Sequence, residues 1–272
     1  MTNTFNILKT IKGATISLLV LLALSACEEV IDIDLNSSDP VLVADGAIEI
    51  GETASIRLSY TSDYFDENTP VSETEAEVLL TSSSGAEEPL MHTGEGYYTG
   101  NTIIGTVGDE YTLSMKVNGD TFEGSTRLLT PSTIQKIKIL EADMPGKSDD
   151  QYELEITFTN NVEEENYYLI KYFVNGSLQE EDFSVLSHEY FANEEVVTYN
   201  PMRQLFDEGD EVEVQLFSID EGTYTYYSQL QDISGEGPGG STPFNPQSNL
   251  GDNIMGYFRA WSMDSQTITI QP

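Results

Sequence analysis

The sequence predicts an all-β protein of two β-sandwich domains carried behind an export signal. Three observations carry the fold class. Apolar and polar residues alternate in short runs, most cleanly in Ala54–Tyr60, Tyr152–Phe158 and Glu211–Ile219, which is the period of a half-buried strand. Asn118-Gly119 and Asn175-Gly176 each stand between two such runs, the strongest short hairpin signal. Within residues 40–130 no segment has a helical period, and Leu129-Thr130-Pro131 separates the first series of strands from the second.

The leader comes first in the chain. Lys9 and Lys12 form a positive region without acids, and the apolar run Gly13–Leu24 follows. That run is shorter than the roughly 20 residues a spanning helix needs. It ends in Leu24-Ser25-Ala26-Cys27, which holds the single cysteine of the chain. This stretch resembles the lipobox of bacterial lipoproteins. The resemblance implies cleavage after residue 26 and acylation of Cys27 with palmitate-type chains that insert into the outer membrane. More than one chain gives stable anchoring, since each buried methylene contributes about 0.8 kcal/mol. Glu28 and Glu29 follow at once and resemble the surface-export signal of Bacteroidota lipoproteins. Residues 27–39 then read as an acidic tether.

Residues 40–130 form the first predicted sandwich. Its strands are Val41–Gly46, Ala54–Tyr60, Ala76–Leu80, a short edge at Gly96-Tyr97-Tyr98, Tyr111–Val117 and Thr121–Thr126. Val78, Leu80, Tyr111, Leu113 and Met115 are its expected core, and Gly96 and Gly108 its tight turns. The order Ala-x-Val-x-Leu, Gly-x-Tyr, Gly-x-x-Tyr-x-Leu resembles prealbumin-like domains of the carboxypeptidase-regulatory type. Residues 131–272 form the second sandwich, similar to fibronectin or immunoglobulin domains. Its strands begin at Ile134, Tyr152, Tyr167 and Glu211, while residues 177–208 are ambiguous. Thr223–Ile233 reads as a helix with Thr223 as its cap. A Gly/Pro-rich loop spans 234–251, and Ile254–Trp261 with Gln266–Ile270 reads as a closing hairpin.

Composition bounds the function. Asp and Glu number 47 against 11 Lys and Arg, for a net charge of −36, so nucleic-acid binding, which needs basic patches, is excluded. The acids are spread along the chain, as a solvated surface would have them. His92 and His188 are the only histidines and stand in no metal-spaced pair. With its one cysteine given to lipid, the chain has no thiol catalyst and no cysteine zinc site. It has no phosphate-cradling glycine loop either. No catalytic residue, metal site or cofactor is expected, and the protein is read as a non-enzyme. Two acidic loops, Asp207–Glu211 and Asp143–Asp150, offer the hard oxygens calcium prefers, but Asp, Asn and Gly are also turn formers and the loops are read as turns.

The aromatics of the last third are the remaining candidates for binding. Phe244, Asn245, Tyr226 and Tyr227 are taken as partner contacts, because interface cores are rich in aromatics and poor in charge. The alternative at this level is a loop folded over its own sandwich with Phe244 in the core.

Several motifs carry a wider resemblance. They are Leu42-Val43-Ala44-Asp45-Gly46, Ala76-Glu77-Val78, Gly96-Tyr97-Tyr98, Gly108-x-x-Tyr111, Asn166-Tyr167-Tyr168, Gly209-Asp210-Glu211-Val212, Tyr224-x-Tyr226-Tyr227, Pro243-Phe244-Asn245-Pro246, Ser248-Asn249 and Gly256-Tyr257-Phe258. In this order, behind a lipobox, they resemble the Bacteroidota lipoprotein family known as domain of unknown function 4249. One departure is Leu250–Ile254, where the family more often has a simpler Asn-Ile step. The resemblance implies an outer-membrane lipoprotein, commonly encoded beside a TonB-dependent transporter, and no established reaction. The expected role is an accessory or binding subunit of such a transporter, facing the cell exterior. The alternative is a surface structural or adhesion lipoprotein.

Overall fold

The computed structural model describes residues 39–62, 70–142, 151–201, 204–234 and 244–271, and among them the chain has fifteen strands and one α-helix. The fold is all-β. The leader, Cys27 and the loop Asp143–Asp150 lie outside the described residues.

The first half holds β1 (Leu42–Glu49), β2 (Thr53–Tyr60), β3 (Glu77–Ser82), β4 (Glu87–Gly94), β5 (Tyr97–Ile104), β6 (Glu110–Val117) and β7 (Asp120–Arg127). Alternation decides which side chains point inward. In β6, Tyr111, Leu113, Met115 and Val117 are buried and the residues between them face outward. The five expected core residues all lie inside, in one cluster with Leu42, Ile56, Leu58 and Tyr98. Asn118 and Gly119 both have positive φ, at 52° and 95°, which is what a two-residue hairpin turn requires.

Two features differ from the expectation here. Tyr97 opens a full strand, not a short edge, and β5 pairs with both β2 and β4. β4 was not expected at all: its Pro89 and its polar end conceal it. Residues 87–90 pair with β3, and residues 91–94 pair with β5. The strand thus changes partner halfway along its length and joins β3 to β5 in one continuous sheet.

The second half holds β8 (Ile134–Glu141), β9 (Gln151–Thr159), β10 (Tyr167–Val174), β11 (Ser177–Leu186), β12 (Val196–Tyr199), β13 (Phe206–Asp207) and β14 (Glu211–Ile219). Strands β8, β9, β12 and β13 make one sheet, and β11, β10 and β14 belong to another. Their facing side chains, Leu154, Ile156 and Phe158 against Tyr168, Ile170, Tyr172 and Val214, form a second core. A buried chain of hydroxyls runs beneath the junction, from Ser132 to Tyr168 to Asn160 at 3.0 and 2.8 Å.

The division at residue 131 separates the two cores but not the sheets, and from Asp39 onward the chain forms one compact unit. The expected closing hairpin is a single strand, β15 (Ile254–Thr269), sixteen residues long. Its first half runs parallel to β1, from Leu42↔Ile254 to Glu49↔Trp261. Its second half is antiparallel to β14, from Ser218↔Ser262 to Glu211↔Thr269. Ile254, Phe258 and Ala260 fill the first core, while Ile270 just beyond the strand fills the second. Gly256 permits the parallel pairing. It has φ +88°, and a Cβ there would meet the Ala44 carbonyl oxygen at 1.9 Å.

The helix α1 (Glu221–Ser234) starts two residues before Thr223. Asp220 is its cap: the Oδ1 accepts from the Thr223 amide at 2.8 Å. Thr223 lies buried in the first turn. The other Asp220 oxygen accepts from the Thr126 hydroxyl and the Arg127 amide, tying the helix to β7.

Candidate binding cleft

β10 is apolar on both faces. Tyr168, Ile170 and Tyr172 point into the second core, so by the two-residue period Tyr167, Leu169 and Lys171 point the other way. α1 covers that outer face. Tyr227 packs with Tyr167, Leu169, Phe217, Ile219 and Trp261 in a third cluster, with Tyr224, Tyr226 and Leu230 at its margin.

β15 continues the same face. Phe258 and Ala260 face the first core, which leaves Tyr257, Arg259 and Trp261 outward. Opposite Tyr257 on β1 stands Asp45. The result is a cleft of about 420 Å³ where β15 joins β14 to β1 within one continuous sheet. Its walls are Lys171, Tyr226, Tyr227 and Leu230 on one side and Asp45, Met255, Tyr257 and Arg259 on the other, with Asn245 and Pro246 from the loop.

The charges in the cleft are unequal. Arg259 donates to Asp45 at 2.5 Å and stacks over the Trp261 ring at 4.4 Å. Burial works against its charge, but Tyr227 once ionised at high pH, and Asp45, raise its pKa above the ordinary value; at neutral pH the Asp45 carboxylate is its charged partner. Its buried Nε has no hydrogen-bond partner. The Lys171 ammonium lies 5.4–5.6 Å from the faces of Phe217, Tyr227 and Trp261. Among the described residues no carboxylate lies within ion-pair distance of it. Burial, and then the nearby Arg259, push its pKa below the usual lysine value. Burial raises the pKa of Tyr226, Tyr227 and Tyr257, so all three keep their hydroxyl protons at neutral pH.

Three of the four expected contact residues, Tyr226, Tyr227 and Asn245, meet in this cleft. Phe244 stands beside it, 41% exposed, and is not in a core. The loop from 244 onward is held against α1 and β15. The Gln247 amide donates to Gln229 at 2.7 Å, and the Asn249 side chain both accepts from and donates to the Phe258 backbone. Glu28 and Glu29 lie outside the described residues.

The cations went unnoticed in the sequence, yet each had a signal. Lys171 interrupts the apolar run YYLIKYFV, and Arg259 interrupts YFRAW. A lone cation inside a strand with apolar neighbours on both faces lies under something.

Of the two acidic loops, the described one is a turn. Asp210 accepts from Asn175 and from the Asp207 amide. Among the described residues no group of three or more His, Cys, Asp or Glu side chains is placed to hold a metal ion.

With this geometry in place, comparison with known proteins decides the family. The family model described as a domain of unknown function, DUF4249, matches residues 28–267. The chain belongs to the DUF4249 family. No curated protein matches this DUF4249 chain. Among solved structures it is similar to the adhesin InvE of Yersinia pseudotuberculosis, at 12% identity and a TM-score of 0.21. That match covers 86% of this chain and 59% of the adhesin chain. The DUF4249 match begins before β1 and ends within β15, past Arg259, so the cleft lies wholly within the family region.

Proposed function

We propose that this DUF4249 chain is a lipid-anchored outer-membrane protein, held by Cys27 and facing the exterior, that serves a TonB-dependent transporter as a binding or accessory subunit. The observation that carries the binding role is the convergence of Tyr226, Tyr227 and Asn245 on one cleft, with Phe244 exposed at its side. Aromatic side chains around a concave site with a few polar groups suit recognition. The lipobox Leu24–Cys27 supports the anchor, and Glu28 and Glu29 support its outward orientation. Among the described residues no helix is long and apolar enough to cross a membrane. The role needs no reaction, and the chain is read as a binding protein.

Affinity purification of the tagged chain from native membranes tests this reading. A β-barrel transporter should co-purify with the wild type and be depleted by Phe244→Ala. Recovery of the chain alone under gentle solubilisation would defeat the transporter role. Cys27→Ser should leave the leader attached and abolish acylation. Normal mass and unchanged membrane retention in that variant would defeat the anchor.

A further inference from the structure

The fold explains every charge in the cleft except one. Asp45 and Arg259 neutralise each other at 2.5 Å. Glu49, farther along β1, accepts from the Trp261 indole at 2.8 Å. Lys171 is left as an excess positive charge, in a chain where acids outnumber bases by more than four to one. Three ring faces support its ammonium by cation–π attraction. They do not replace an anion. Salt screens the distant negative surface beyond about 8 Å, so an incoming ligand meets the local charges first.

The rest of the wall is apolar: Val43, Leu230, Pro246 and Met255, with the rings of Tyr226 and Tyr257. A bare inorganic anion would pair with Lys171 but leave these surfaces wet. A neutral apolar molecule would cover them but strip water from an unpaired ammonium, which costs more than the contact returns. A molecule with an acidic head and an apolar body does both. A volume of about 420 Å³ lies within the range of small-ligand sites.

We propose that the cleft between α1 and β15 binds a small organic carboxylate on an apolar body, with Lys171 pairing the carboxylate. This deepens the reading of the cleft as a binding site, but it does not depend on the transporter.

Trp261 makes the test local. It is the only tryptophan in the chain and lies against both cations. The full chain, purified in neutral detergent, is titrated with 4-phenylbutyrate, with 4-phenylbutanol and with acetate while its tryptophan fluorescence is followed. The acid should give a saturable change at a concentration about tenfold or more below either of the others. Lys171→Met, which keeps the length of the side chain, should weaken the acid about tenfold and leave the alcohol unchanged. An acid and alcohol that bind equally, an acetate as strong as the phenyl acid, or no saturable response would overturn the proposal. Unchanged acid binding by a folded Lys171→Met would do so too. If that variant does not fold, the wild-type contrast between acid and alcohol decides alone. Acid binding without co-purification of a transporter would overturn only the accessory role and leave the ligand class standing.

Discussion

β6 and β10 are both eight-residue strands, yet they read differently. β6, EYTLSMKV, alternates strictly, with one face in the first core and the other toward water. β10, YYLIKYFV, is apolar almost throughout, because the second core takes one face and α1 covers much of the other. A strand covered on both sides loses its alternation. The difference shows how this cleft is built. β6 leaves Thr112, Ser114 and Lys116 on a face that, among the described residues, has no helix over it. β10 has its outer face roofed by α1, and at the edge of that roof, against β1 and β15, lies the cleft lined by rings and cations.

The comparison can be broken most directly at the strand the halves share. Phe258 is fully buried in the first core, and Phe258→Ala should cost about 3–5 kcal/mol. Because β15 also pairs with β14 of the second half, urea unfolding should remain a single transition when followed both by circular dichroism and by Trp261. Two separated transitions would show that the halves are independent. Gly256→Val comes next. Positive φ and the approach of the Ala44 carbonyl together should cost on the order of 3 kcal/mol. Hydrogen exchange should then show β1 opening ahead of β10. Equal protection of β1 in the variant and the wild type would contradict the proposed dependence of the parallel pair on Gly256.

Acid sharpens the contrast. In the first half Glu88 is buried and accepts from the amides of Asn101, Thr102 and Ile103 at 2.6, 2.9 and 2.8 Å. Burial opposes its charge, but these bonds outweigh it, and the carboxyl ends below its ordinary value of 4.5. Glu73 is lowered in the same way, with Tyr60 as a donor. A depressed carboxyl stabilises the fold above its unfolded pKa, and that contribution is lost as pH falls through the folded value. The melting temperature should therefore drop as pH is taken below 4.5, and Glu88→Gln should flatten that drop while lowering stability at pH 7 by about 2 kcal/mol. An unchanged acid profile in Glu88→Gln would remove Glu88 from the account. The smallest effect is expected at Phe244, where truncation to Ala should alter stability by no more than about 0.5 kcal/mol, because the ring is 41% exposed. A loss like that of Phe258→Ala would mean that Phe244 packs as core.

The sequence disclosed what depends on local chemistry. Alternation located β2, β6, β9 and β14, the two Asn-Gly turns located their hairpins, and the spacing of Tyr226, Tyr227 and Leu230 located α1. It concealed what depends on distant partners. β4 carries Pro89 and a polar end, since it serves two partner strands for half its length each. β15 carries Met263-Asp264-Ser265 at its centre, which reads as a turn. There Asp264 accepts from the Ile134 amide at 2.7 Å, a contact no local pattern reveals. Three cleft aromatics were legible as candidates, whereas Lys171 and Arg259 became candidates only once the register of β10 and β15 put them on one face.

The parallel pairing of β1 with β15 also bears on how the chain is made. β1 leaves the ribosome long before β15, its parallel partner on one side. Until β15 has been made, β1 offers an open edge of unpaired amides and carbonyls, the kind of surface on which strands of neighbouring chains add. Contacts so far apart in sequence also form slowly. The arrival of one terminal segment then closes both halves in a single event. A chain cut short before residue 254 would leave both β1 and β14 without a partner at once, and quality control would meet it as wholly unfinished rather than as one good half and one bad.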